Sequence, residues 1–333
     1  MLKNNKKFVA IIPIWGDRYI ESFFKKSLSS LLSKDNFFFI NKNYQFEVCF
    51  ITIKKFRSLI KKNLDSSNFK FNYKIINIAF RNDTDFLLHK SYVKAFKKYN
   101  QTKNKPYFIL LNSDSIFTNT FFKEVIQELE KKNYNLVLDF PLRIKISHEK
   151  KFKNFSYKNL VKFVHENLSN FTEMSICNTN EMFDYNSNYL VFKINNKNFI
   201  ISSFLLHPII FRPKQKSIKK GLVDFLLAEH YSSKSNTLVL NNKSKKIMHL
   251  AIDNDNHKFN LDFFNAVKYA INLSFWTTKS NRYYSNFLFY FIQKKISKNQ
   301  INKFKKILNE IHSSLRFFEN KDGKKHPYYL KKN

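Results

Sequence analysis

The sequence predicts an α/β fold, a mainly parallel twisted sheet followed by a helical C-terminal extension. Three observations carry that prediction. In the first half, β-branched apolar runs alternate with segments of helical period, and strands so spaced pair in parallel through right-handed crossovers. Two of these strands run directly into short polar loops, Trp15–Arg18 and Asn112–Ser115, and open α/β sheets bind ligands beyond the carboxyl ends of their strands. After Asp253 the apolar spacing becomes mostly helical.

The elements follow in order. Lys7–Ile14 (KFVAIIPI) reads as the first strand, and Tyr19–Leu32 as a helix carrying Ile20, Phe23, Phe24, Leu28, Leu31 and Leu32 at helical intervals. Phe46–Ile53 is a second strand, Lys54–Lys62 a short basic helix, and Tyr73–Phe80 a third strand. Asp83 or Thr84 caps a helix that runs to Tyr99. Pro106–Leu111 (PYFILL) is a fourth strand, Thr118 opens a helix, and Leu136–Leu142 (LVLDFPL) is a fifth strand. In the second half, Tyr157–Asn170 reads as helix. Tyr189–Ile194 and Asn198–Phe204 flank Asn195-Asn196-Lys197 as a hairpin. The run Phe199–Phe211 continues as strand through His207-Pro208, and helices follow at Leu261–Trp276, Tyr283–Ile296 and Ile301–Phe318. No Pro- or Ser-rich linker marks a boundary, so a division into 1–255 and 256–333 rests on the change of period.

Composition narrows the function. The 39 Phe and 43% hydrophobic content supply a core for a globular protein. The 59 Lys and Arg stand against 25 Asp and Glu, a net charge of +34 that attracts polyanions, phosphorylated ligands and anionic bilayers. Drift in an AT-rich genome, with general solubility, is the plainer source of the same bias, and the scarcity of acids keeps a functional polyanion partner open. Cys49 and Cys177 lie far apart, in neither a disulfide framework nor a metal-type spacing. The three glycines, Gly16, Gly221 and Gly323, cannot build a Walker A loop or a GxGxxG fingerprint. P-loop NTPases and ordinary dinucleotide dehydrogenases are thereby excluded. No signal peptide is expected, because the apolar run Phe8–Trp15 is short and Asp17 and Arg18 follow.

Two loops carry the candidate chemistry. In Leu110-Leu111-Asn112-Ser113-Asp114-Ser115-Ile116, a carboxylate ends a buried strand beside small hydroxyl residues. That setting suits a divalent cation bridging two phosphates, since Mg²⁺ uses one or two carboxylates plus substrate oxygens. A helix cap at Asp114 or Ser115 is the plainer reading. In Pro13-Ile14-Trp15-Gly16-Asp17-Arg18, Gly16 can take a positive φ, Trp15 offers a flat face, Asp17 can accept from ribose or base, and Arg18 can reach phosphate with two donors. As a plain turn the loop needs Gly16 alone.

FVAIIPIWGDRYIESF followed by FILLNSDSIF resembles the GT-A, Rossmann-like glycosyltransferases of family-2 type over residues 7–145. In that fold the first strand ends in a nucleotide-contacting loop, and a later strand ends in an Asp-x-Asp motif that holds metal and sugar diphosphate. The resemblance implies donor contacts from Pro13, Trp15, Gly16, Asp17, Arg18, Asn112 and Ser115, with Asp114 as the second carboxylate and a ligand for Mg²⁺ or Mn²⁺. Asn112 departs from the motif because it is neutral. A metal would then be held weakly or not at all, and Lys or Arg would have to neutralise the leaving diphosphate. The acidic cluster usual after the second strand is replaced by Thr52-Ile53-Lys54-Lys55.

Inverting members of the fold use a further carboxylate as base toward the acceptor hydroxyl. Asp224, in LVDFL, and Asp253, following His249, are the candidates, and His207 or His249 would touch the diphosphate. Each also reads as a capping Asp or a partly buried His. The activity so implied moves a sugar from a nucleotide-sugar donor to a glycan or lipid-linked acceptor hydroxyl in surface-polysaccharide or lipopolysaccharide assembly. The expected location is the cytoplasm or the inner face of the membrane. The aromatic, Lys-containing stretch Tyr283–Lys295 could lie on an anionic bilayer, but its apolar residues on both faces favour packing on the main domain. A GT-A-like protein that binds nucleotide without transfer, or a basic nucleic-acid-binding module, are the other readings. No nucleic-acid motif is present and the basic residues are spread along the chain, so no specific nucleic acid is expected.

Overall fold

The computed structural model describes residues 4–79, 84–99, 105–145, 155–213, 235–241, 246–253, 257–293 and 295–322. Strands β1 (Asn4–Pro13), β2 (Tyr44–Ile53), β3 (Tyr73–Ile78) and β4 (Tyr107–Leu110) fall where the apolar runs predict them. They pair in parallel in the order β3-β2-β1-β4. Phe8 to Ile12 are all fully buried, as a strand covered by helices on both faces requires.

Seven further strands follow up to residue 211. They are β5 (Ser115–Phe117), β6 (Leu136–Asp139), β7 (Leu142–Ile144), β8 (Met182–Asp184), β9 (Tyr189–Asn195), β10 (Asn198–Ser203) and β11 (His207–Phe211). Then come β12 (Thr237–Val239), β13 (His249–Ile252), β14 (Leu261–Phe263) and β15 (Leu288–Ile292). The main sheet among the described residues has the order β12-β6-β11-β4-β1-β2-β3. Within it β11 is antiparallel to both β4 and β6, and the other strands share one direction. The fold is therefore mixed α/β with a largely parallel sheet.

Two consequences of this topology position the site. The strand order reverses between β1, which leads outward to β2 and β3, and β4 on its other flank, creating the crevice where open α/β sheets receive ligands. Because β11 runs the opposite way, its first residue lies at the carboxyl ends of its neighbours, and His207 pairs with Asp139. A small sheet, β5-β13-β7, stands at the same end and ties the segment after β4 to residues 249–252 and 142–144.

Several expected elements are corrected. The strand Leu136–Leu142 is divided between β6 and β7, which lie in different sheets; Pro141, between them, has no N–H for a ladder. The run Phe199–Phe211 likewise breaks, with β10 and β11 in separate sheets. The helix expected at Tyr283–Ile296 is instead a short helix, Lys279–Tyr284, and then β15, whose Leu-Phe-Tyr-Phe-Ile run pairs antiparallel with β10. Aromatic and β-branched residues fit such a pleated, buried surface better than a helix. Residues on both sides of position 255 thus share one sheet, β15-β10-β9. The helix expected from Leu261 begins at Ala266, where the Asn265 side chain accepts from the Lys268 N–H. The last expected helix lies within Lys298–Asp322 and buries Phe304, Leu308, Ile311 and Leu315 in a second apolar cluster with Phe183, Tyr185 and Tyr269. The 195–197 hairpin forms as predicted. No described helix is long and apolar enough to cross a membrane.

Candidate active site

The first polar loop leaves β1 at the topological switch point. Ile14 N–H donates to Ile51 O at 2.8 Å, prolonging the strand by one residue. Pro13 is buried, Trp15 and Gly16 are half-buried, and Asp17 and Arg18 are exposed. Gly16 has φ 86° and ψ 137°, a region that is essentially closed to residues with a Cβ. From that conformation its carbonyl accepts from Ile20 N–H at 3.0 Å, and the helix Asp17–Ser22 begins at once.

The second loop leaves β4 alongside the first. Leu111 N–H donates to Ile11 O at 3.0 Å, and one turn of π-helix later in the first segment Ser27 Oγ donates to Ser113 O at 2.9 Å. Both predicted loops therefore meet at one end of the sheet. Asn112 Oδ1 accepts from the Tyr92 hydroxyl at 3.3 Å. The chain passes from Asp114 straight into β5, and the helix Phe121–Lys132 starts later with Thr120 at its N-cap, so neither Asp114 nor Ser115 caps a helix. Asp114 O accepts from Ile252 N–H at 3.0 Å. Its carboxyl Oδ1 is buried with no hydrogen-bond partner among the described residues. Burial pushes the Asp114 carboxyl above its ordinary pKa, against the pull of Arg143, its own backbone, His249 and His207.

Behind this loop lies a sealed polar chain. His249 Nδ1 stands 3.2 Å from Asp139 Oδ2, and its Nε2 stands 2.9 Å from Ser115 Oγ. Burial holds the imidazole below its ordinary pKa, more strongly than the Asp139 carboxylate raises it. The neutral ring therefore donates from Nδ1 to Asp139 and accepts the Ser115 hydroxyl proton at Nε2. His207 Nε2 lies 3.2 Å from Leu110 O, and its ring centroid is 6.2 Å from that of His249.

In front of it lies a second polar group. Asp253 Oδ1 accepts from His257 Nε2 at 2.7 Å and lies 3.9 Å from Arg143 NH1. Burial would raise the Asp253 pKa, but hydrogen bonds from Ser169 and His257 and the charge of Arg143 hold it below the ordinary value. The Asp253 side chain has 0% exposure, whereas those of His257 and Arg143 have 19% and 38%. The Arg143 guanidinium sits 5.2 Å above the Phe171 ring.

The structure thus brings together Pro13, Trp15, Gly16, Asn112, Asp114, Ser115, His207 and Asp253, while Asp224 lies outside the described residues. Asp139, Arg143 and His257 were not singled out in the sequence. Asp139 carries the signal that exposed Asn112–Ser115, a polar residue closing a buried strand. Arg143 and His257 carry no such mark. Burial pushes the thiols of Cys49 and Cys177 up to about 12, which leaves neither as a thiolate nucleophile or ligand.

Neither a protein-family model nor a curated protein sequence matches the chain. Among solved structures it is similar to S. aureus TarS 1–349 in complex with UDP-GlcNAc, at 13% identity over 98% of this chain and 76% of that one, with a TM-score of 0.43. The TarS 1–349 structure alone is similar at 12% identity over 98% and 75% of the two chains, TM-score 0.37. Mouse xyloside xylosyltransferase 1 in its apo form is similar at 16% identity over 40% and 52%, TM-score 0.30.

Proposed function

We propose that the protein is a glycosyltransferase that moves a sugar from a nucleotide-diphosphate donor to an acceptor hydroxyl. The observation that carries this reading is the meeting of the Trp15–Arg18 and Asn112–Ser115 loops at the switch point of the sheet, beside Asp114 and the Arg143 guanidinium. In this reading Trp15 to Arg18 receive the nucleoside, and the segment Asn112 to Ser115 with His207 faces the diphosphate. Asp253 serves the acceptor hydroxyl through His257, because the carboxylate is covered and the imidazole it holds reaches the surface. Asp224 is the alternative base.

The acceptor is proposed to be a glycan or a lipid-linked glycan of surface-polysaccharide or lipopolysaccharide assembly. A cavity of about 760 Å³ supports a hydroxyl-rich ligand, with Glu173, Glu181, Lys193 and Asn195 among its lining residues and Met182 and Phe263 on its apolar side. Glu173 closes the short helix Asn170–Glu173, whose Thr172 hydroxyl donates to the Arg143 carbonyl at 2.9 Å. The short helix that lines the cavity is thus bonded to the strand that carries Arg143. A peripheral stand on the inner face of an anionic membrane is supported by the exposed Val267, Ile271 and Phe275, spaced to form one ridge, and by the net charge of +34. A nucleotide-binding protein without transfer is the second reading, favoured by the complete burial of Asp253.

The test is a thermal-shift panel of UDP-, GDP-, CMP- and TDP-sugars with and without Mn²⁺. A ligand of the native state at 100 times its Kd adds about 2.7 kcal/mol of stability. One nucleotide class should raise the melting temperature and release free sugar or form product; a panel without any shift would refute the reading.

A further inference from the structure

We propose that the Arg143 guanidinium takes the place of a divalent cation at the diphosphate, so that the site binds its nucleotide without metal. The inference rests on the nucleotide-sugar reading above.

The donor set does not fit a resident metal. Asn112 is neutral and its carbonyl oxygen is engaged by Tyr92. Both nitrogens of His249 are committed, to Asp139 and to Ser115. His207 Nε2 faces the Leu110 carbonyl, and Asp253 Oδ1 is bound to His257. Among the described residues no three His, Cys, Asp or Glu side chains are grouped so as to hold an ion. Asp114 remains as the one carboxylate of the loop after β4 itself. Mg²⁺ can be held by one carboxylate plus substrate oxygens, but here the positive field of Arg143 already acts on that carboxylate, and a dication beside it would be repelled.

The same geometry supplies a cation suited to phosphate. Arg143 lies on β7 opposite Ala251, and the next residue of β13, Ile252, binds the Asp114 carbonyl. The guanidinium is thus anchored one strand away from Asp114. Phe171 supports its face, and NH1 stands 3.4 Å from His257 Nε2 and 3.9 Å from Asp253 Oδ1. These contacts take one terminal nitrogen. The opposite edge of the fork meets no acceptor among the described residues, and the side chain is 38% exposed. A guanidinium edge binds phosphate oxygens through two parallel hydrogen bonds. When the bond from the anomeric carbon to the phosphate oxygen breaks, its electron pair stays on that oxygen, next to Arg143. The sugar passes to the acceptor oxygen, whose proton goes to the base.

The experiment is calorimetric titration of the full chain with UDP, GDP, CDP and TDP in turn, and with the matching nucleosides, in EDTA and in Mn²⁺. Wild type should bind one diphosphate with affinities within about twofold in the two buffers. Arg143→Ala should weaken that diphosphate by about tenfold or more and leave the nucleoside unchanged, with Arg143→Lys between them. Binding that requires Mn²⁺, or an Arg143→Ala protein as tight as wild type, would overturn the inference and leave the glycosyltransferase reading standing. The Mn²⁺ comparison needs no variant, so a misfolded Arg143→Ala would not blunt it. If wild type binds no nucleoside diphosphate in either buffer, the broader reading fails and takes this inference with it.

Discussion

Ser115 Oγ donates to His249 Nε2 across 2.9 Å, in the interior of the protein. With Asp139 on the other ring nitrogen, the three residues have the outward form of a nucleophile, its base and the base's orienter. Their burial argues for a different role. Ser115 and His249 are each 2% exposed, and the hydroxyl proton is directed inward. The chain of bonds ties β5 to β13 and β6, and so fixes the backbone that presents Asp114.

Removing the carboxylate at the end of this chain should therefore cost stability. Asp139→Ala leaves the His249 Nδ1–H buried and unpaired, and the expected loss is about 1–3 kcal/mol. Asp139→Asn keeps an acceptor and should lose less. Urea unfolding of both variants at pH 7.5 measures the difference; equal stability of wild type and Asp139→Ala would remove the chain from the fold's account.

The same imidazole makes stability depend on pH in a defined direction. Burial lowers the pKa of His249 in the folded protein, so the unfolded chain binds its proton more readily, and stability from this group rises with pH. Its contribution is complete above the ordinary histidine value of about 6.5 and is lost as pH falls below it toward the folded value. Replacement by Asn should make the slope of unfolding free energy against pH shallower between pH 7 and 5. An unchanged slope would show that the folded imidazole titrates as it does in the unfolded chain.

How much of this could be read from the sequence follows from what each signal depends on. β1 to β4 were legible because each centres on a run rich in apolar and β-branched residues bounded by polar segments, and the two candidate loops were legible because they end such runs. β15 was not, since Leu288–Ile292 becomes a strand through its pairing with β10, a contact nearly ninety residues away along the chain. Arg143 and His257 escaped for a similar reason. Their roles come from the small β5-β13-β7 sheet, whose three-residue edge strands are too short to show a period.

Gly16 offers a direct test of the first loop. Its φ of 86° with ψ 137° is costly for any residue with a Cβ, by about 1–3 kcal/mol. The added methyl itself would meet Tyr19 Cδ2 at an ordinary 3.7 Å, so strain and not collision is the expected cause. Gly16→Ala should lower the unfolding free energy by that amount and weaken nucleoside binding as the loop shifts. Full stability in the variant would mean that the loop adopts another conformation.

The exposed ridge makes a prediction that separates surface function from folding. Val267, Ile271 and Phe275 are 41%, 38% and 50% exposed, and they occupy the side of the helix away from the buried Ala266, Tyr269, Ala270 and Leu273. Replacing all three by Ser should change stability by no more than about 0.5 kcal/mol per site. If the ridge sits on a membrane, co-sedimentation with vesicles rich in phosphatidylglycerol should fall sharply in the variant and also at high salt. Equal sedimentation of variant and wild type would assign vesicle binding to charge alone.

Asp114→Asn sets stability against function at one position. Burial raises the carboxyl pKa, which means that the fold disfavours the ionised form. A group so shifted favours folding most below its unfolded pKa, and that advantage is lost as pH rises through the folded value. A neutral isostere escapes the loss, so at pH 7.5 Asp114→Asn should melt higher than wild type, by about 2–4 °C for each kcal/mol recovered. At pH 4 the two proteins should differ less. A retained carboxylate that destabilises its own fold is expected where function requires it, here to orient the donor sugar. The variant should then bind or turn over the nucleotide sugar less well while being the more stable protein. Thermal melting at the two pH values, paired with donor titration, reads both effects in one set of samples. A less stable variant would show that Asp114 is paid for by its local electrostatics, and unchanged donor affinity and turnover would remove it from the site.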